Sequence, residues 1–132
     1  MSFIELQGIE DVKEKELLPV AEYDFVVTDV KGEESSDSDA YKIRVRLEAE
    51  GAGDEYQPIW HYLTTPGSND DADKRYWKLI MIKRFLHMCN LKLDGGFNME
   101  DLMGARLRAK IDASEYEGRE GRNLLLPQVP NE

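Results

Sequence analysis

Cysteine and histidine are scarce in this chain, with one Cys and two His among 132 residues. The lone Cys89 excludes an intrachain disulfide and fits a reducing, cytoplasmic setting. His87 and Cys89 are two apart on a predicted helix and do not face each other, and His61 has no partner at metal-ligand spacing. No metal and no cofactor are therefore expected. No apolar run approaches the roughly 20 residues that span a bilayer, so no membrane association is expected. The opening Met1-Ser2-Phe3-Ile4-Glu5 lacks the basic and apolar regions of a secretory signal. A phosphate-cradling glycine loop, a nucleophile elbow and a His-plus-carboxylate pattern are all missing. Nothing singles out a catalytic pair among the 27 acids. The chain reads as a binding protein, not an enzyme.

Charge is plentiful but unevenly placed. Residues 1–40 hold 12 acids and 3 bases, a net of −9; residues 41–132 hold 15 acids and 14 bases, a net of −1. The overall −10 is thus mostly a property of the first third. Because screening acts over about 8–10 Å, a local basic face in the balanced part can still meet a polyanion.

The length suits one domain with a real core. Residues 1–18 read as an acidic N-terminal arm ended by Pro19, residues 19–127 as the folded domain and residues 128–132 as a short tail. A first strand is predicted over 22–30, followed by a polar hairpin loop at 31–39. Asp37-Ser38-Asp39, after Glu33 and Glu34, faintly resembles a calcium loop but lacks the required glycine and terminal glutamate. The second strand, 41–50, shows the clearest pattern. Tyr41, Ile43, Val45, Leu47 and Ala49 alternate with Lys42, Arg44, Arg46, Glu48 and Glu50, which predicts one buried and one wet face. A third strand over 56–65 has two possible registers: one buries Ile59 and Leu63 and presents Trp60 and Tyr62, and the other buries Trp60 and Tyr62 and exposes Ile59 and His61. A helix follows to about Asn90, announced by an Asn or Ser cap and acids in its first turn. Its apolar arc takes in Trp77, Leu79, Met81, Ile82, Phe85, Leu86, Met88 and Cys89; Lys78 and Ile80 break the pattern. Asn98 is expected to cap a short turn through Leu102. A fourth strand alternates over 105–114, and a turn at 117–121 leads to a fifth near 122–126.

The expected architecture is mainly β: three strands joined by hairpins, one long helix, then two more strands. That is the element order of a five-stranded OB-like barrel, in which the helix between strands three and four plugs an open end. An open five-stranded sheet with one packed helix is the alternative.

Lys42, Arg44 and Arg46 alternate on one face, and Trp60 and Tyr62 share a neighbouring strand. Cations for phosphates and flat rings for bases are what a single strand of nucleic acid requires, and this is the usual platform of an OB barrel. A solvated strand face with the rings turned inward is the competing reading. The stripe Arg106, Arg108 and Lys110 is expected to be merely solvated. So is the helix flank Tyr76, Lys83, Arg84 and His87.

Pro19-Val20-Ala21-Glu22-Tyr23-Asp24-Phe25-Val26-Val27, Tyr41-Lys42-Ile43-Arg44-Val45 and Ile59-Trp60-His61-Tyr62-Leu63 together resemble small bacteriophage OB-fold proteins. Those proteins occur among replication and recombination functions and are regarded as single-stranded-DNA binders. Lys83-Arg84-Phe85-Leu86, Leu102-Met103-Gly104-Ala105-Arg106-Leu107-Arg108-Ala109-Lys110 and Tyr116-Glu117-Gly118-Arg119-Glu120-Gly121-Arg122-Asn123 extend the likeness, which covers about residues 19–127. It is a likeness of element order and turn residues. His61 and the acidic loop 33–39 depart from it, and no long acidic tail is seen. The resemblance implies the outward register for Trp60 and Tyr62, and a phage-encoded, sequence-tolerant binder of single-stranded DNA in the host cytoplasm. Replication or recombination proteins are further expected partners. The alternative function is an acidic protein-interaction or DNA-mimic module, carried by Glu33, Glu34, Asp37 and Asp39. Oligomeric state is left open.

Overall fold

The computed structural model describes residues 2–34 and 39–131. Asp37, assigned above to a calcium-like or DNA-mimicking loop, lies outside the described residues. The elements run β1 (Glu22–Glu34), β2 (Tyr41–Ala49), β3 (Ile59–Thr64), α1 (Ala72–Met88), β4 (Arg106–Tyr116) and β5 (Arg119–Leu124), with 3-10 turns at Ile9–Asp11 and Met99–Leu102. The ladders between these strands are antiparallel, in the order β3-β2-β1-β4-β5. The chain is mainly β with one helix between the third and fourth strands. The sheet is open: among the described residues no ladder joins β3 to β5.

Strict alternation on β2 and β4 puts Ile43, Val45, Leu47, Leu107, Ala109 and Ile111 into one core with Phe25, Val27, Ile59 and Leu63. β1 is longer than its sequence suggests because its pattern is interrupted. A bulge at Thr28 shifts the pairing between Val27 and Asp29, which explains why both faces of this strand look apolar in sequence. Beyond the bulge Val30 pairs with inward Val45, while Asp29, Lys31 and Glu33 pair with outward Arg46, Arg44 and Lys42. Gly32 leaves room there for the end of the Tyr41 side chain, which would have to shift to admit a Cβ. The turn expected at 117–121 tightens to Glu117 and Gly118, both at positive φ (50° and 79°), the type I′ geometry that matches strand twist.

α1 starts later than its Asn and Ser signals suggest, two residues after Asn69 would have begun it and three after Ser68. Asp71 is the cap, and its carboxylate accepts from the Lys74 N–H at 2.8 Å. The helix packs on β3 and β4 through Ile82, Phe85 and Leu86, with Cys89 just beyond. The apolar arc is narrower than expected, because Trp77, Leu79 and Met81 are exposed. The sheet covers only the stripe at i, i+3, i+4 and i+7 from Ile82. Residues 72–77 are exposed all round. Asn98 precedes the second 3-10 turn, but its side chain makes no capping bond; the turn is held by burial of Leu102 instead.

Of the acidic arm, residues 2–14 are exposed, and the segment that follows is docked. Glu16 bridges to Tyr56 in parallel, and Leu18 is buried in the core. The Arg122 Nε donates to the Leu18 carbonyl at 2.6 Å, so the arm's end fills the seam between β3 and β5. Among the described residues no helix is long and apolar enough to cross a membrane.

Candidate nucleic-acid interface

β3 takes the register that buries Ile59 and Leu63 and turns out Trp60 and Tyr62, which are 42% and 49% exposed. Pairing of Arg44 with Tyr62 and of Arg46 with Trp60 sets rings and cations side by side on one outer face. The contacts run diagonally: the Lys42 Nζ lies 4.7 Å from the Tyr62 ring centre, and the Arg44 guanidinium carbon 4.8 Å from that of Trp60. Cation–ring contacts at exposed sites are worth about 0.5–1 kcal/mol each, enough to orient the rings and small enough to exchange for a ligand. A cation over one ring face leaves the other for stacking. The Arg44 Nε has no acceptor among the described residues, while Arg46 is held by Glu48 at 3.0 Å. All five residues picked out by pattern, Lys42, Arg44, Arg46, Trp60 and Tyr62, thus share one surface. Lys31 joins them beside Arg44. Its sequence context, the start of a polar loop, conceals this, and only the bulge at Thr28 puts it on the outer face.

His61 alternates inward behind this surface and stacks on Phe85, with centroids 4.9 Å apart. Burial pushes its pKa down to about 4, and its Nε2 has no partner among the described residues. Burial likewise pushes the Cys89 thiol up to about 11, which leaves it protonated and inert. His87 is exposed on α1.

The β4 stripe has the same alternation in different company. Arg108 donates to Glu22 and, at 3.0 Å, to Asp24. These bonds, that to Glu22 foremost, raise its pKa further. Arg106 lies 3.3 Å from Glu50, and Lys110 pairs across the ladder with Glu22. These cations are exposed, but acids answer them. In the acidic loop, Asp39 accepts from the Ser68 N–H at 2.6 Å, and that bond lowers its pKa. One of the acids considered for DNA mimicry is thus engaged in joining two loops.

No protein-family model matches the chain, and no curated protein matches it in sequence.

Proposed function

We propose that this chain is a sequence-tolerant single-stranded-DNA-binding protein on an OB-like barrel, acting by binding alone. The observation that carries the reading is the pair of exposed rings, Trp60 and Tyr62, set among Lys42, Arg44, Arg46 and Lys31. Rings of this kind stack on any base, and bases on flanking strands meet phosphates. The strand order supports the barrel: β1 pairs with both β2 and β4, and closure would need only β3 to meet β5. Those two strands already flank one cleft with Leu17 and Leu18. Helix α1, packed on β3 and β4, then covers one end. The resemblance to phage OB-fold proteins supports a phage-encoded role in DNA replication or recombination, in the host cytoplasm.

Fluorescence titration with oligothymidylate at low salt tests the reading. Trp60 emission should be quenched, and three phosphate contacts predict a slope of log affinity on log salt of about −2, at roughly 0.7 per contact on single strands. Absence of quenching, or unchanged affinity in Trp60→Ala, would sink it.

The acidic interaction module has its own observation in residues 2–14, where Phe3, Ile4, Leu6, Ile9 and Val12 are exposed among acids. If that reading holds instead, neutralising Glu33, Glu34, Asp37 and Asp39 abolishes function and neutralising the β2 cations does not.

A further inference from the structure

The first turn and a half of α1 serves no packing purpose, since residues 72–77 are exposed all round. It nevertheless carries two of the chain's largest side chains. Tyr76 and Trp77 are 56% and 57% exposed, edge to face with centroids 5.3 Å apart. Helical spacing places Lys83 seven residues after Tyr76, Arg84 seven after Trp77 and Lys74 three before it, all on the side of the rings. Asp73 is the one acid of the helix, against five bases. Lys78 is taken by Asp70 at 2.7 Å. Lys74, Lys83 and Arg84 form no ion pair among the described residues.

An exposed aromatic pair wants a cover, and charge says which. A second copy packed helix to helix would set like charges on like, an arrangement that works against association. A peptide would need a groove, and the one along α1, lined by Leu79, Ile82, Lys83 and Leu86, takes in neither ring. A single strand of nucleic acid supplies flat apolar faces and negative charge together. The location agrees. Residues 65–71 leave the sheet at the end marked by Lys42 and Thr64, which pair, and are tied back there. Thr65 N–H donates to the Tyr41 carbonyl at 2.8 Å, and Thr65 Oγ1 accepts from Tyr41 N–H at 2.7 Å. Ser68 is held by Asp39, and Gly67 N–H by Asp70 at 2.8 Å. The helix that carries the second ring pair therefore sets out from the end of the sheet marked by Lys42.

We infer that Tyr76 and Trp77, with Lys74, Lys83 and Arg84, form a second stacking site for the same single strand, so that the footprint runs off the sheet onto α1. This rests on the reading of the β2–β3 face given above. The chain has two tryptophans, one at each site, so Trp60→Phe isolates the signal of Trp77 and Trp77→Phe that of Trp60. Each variant is titrated with oligothymidylates of about five and about twenty nucleotides, lengths that bracket the site of one OB fold. Trp60 should be quenched by both and Trp77 by the longer one only. Trp77→Ala should weaken binding of the longer oligonucleotide about tenfold, at roughly one stacked base, and leave the shorter one and the melting temperature unchanged. Quenching of Trp60 with an indifferent Trp77 overturns the second site and leaves the first standing; indifference of both overturns both. A Trp77 signal that follows protein concentration without DNA makes this face a subunit contact and overturns the inference. So does a fall in melting temperature in Trp77→Ala.

Discussion

Two strands of this molecule carry nearly the same outer pattern, Lys42, Arg44, Arg46 on β2 and Arg106, Arg108, Lys110 on β4, and the fold treats them oppositely. On β2 two of the cations lie over aromatic rings. On β4 the two arginines are answered by Glu22, Asp24 and Glu50. A basic stripe thus meets rings or acids according to what the neighbouring strand brings. Here β3 brings rings to β2, whereas Glu22 and Asp24 of β1, with Glu50, take up the two arginines of β4. β1 also sets Asp29 and Glu33 across from Arg46 and Lys42, and Arg46 is held by Glu48. The company of rings, not the count of cations, separates the two faces.

The contrast can be broken from either side. Replacing both rings, Trp60→Ala with Tyr62→Ala, should cost the most, at least about 30-fold in affinity for oligothymidylate if each stacked base contributes roughly 1–3 kcal/mol. Equilibrium titration measures it, and a loss below about threefold would remove the rings from the site. A second test probes what lies beneath the β2–β3 face. The unfolded His61 imidazole takes up its proton near pH 6.5, while the folded one resists until about 4. Stability is therefore full above about 6.5 and falls as pH drops through that window, by about 2 kcal/mol after allowance for partial exposure. His61→Phe, which keeps the ring on Phe85 and removes the unpartnered Nε2, should flatten that fall in urea titrations from pH 7 to pH 4.5. An equal fall in the variant would place the acid sensitivity elsewhere.

Smaller effects sharpen the contrast. Lys42→Ala should make the salt slope shallower by about 0.7, one phosphate contact, while Arg108→Ala should leave it unchanged. Freeing a β4 cation is the converse experiment: Glu22→Gln with Asp24→Asn releases Arg108 and should steepen the slope by about 0.7. Because exposed ion pairs contribute about 0.2–1 kcal/mol, the double change should barely move the urea midpoint. A large loss of stability with no change in slope would show those acids to be structural.

The β2 face was legible because period two needs no partner to be read: residues 41–49 alone specify which side chains are wet. β4 was equally legible as a strand but not as a neutralised one. Its acids lie 86 and 84 residues earlier in the chain, and no local pattern reports a pairing across that distance. The rings of β3 were ambiguous because Trp60 and Tyr62 bury as readily as Ile59 and Leu63, and only the ladder with β2 decides between them. Trp77 was misassigned for a related reason. Apolar residues stand on both sides of α1, so periodicity could not show that the sheet reaches only the stripe from Ile82 to Cys89. The cap fell to Asp71 because Asn69, Asp70 and Asp71 are all competent, and geometry chose among them.

The bond from Arg122 to the Leu18 carbonyl spans 104 positions, so during synthesis it can form only after β5 has been made. The β1–β2–β3 meander can form from nearby sequence, but β1 must then wait for β4, and the seam by Leu18 for β5. Folding dominated by such distant contacts is slow, in the range of milliseconds to seconds. On the ribosome the first three strands therefore emerge with one side of β1 unpaired, an invitation to pair with another chain. The acids on this edge, Glu22 and Asp24, which meet Arg108 once β4 is in place, are charges of the kind that blunt an exposed strand edge.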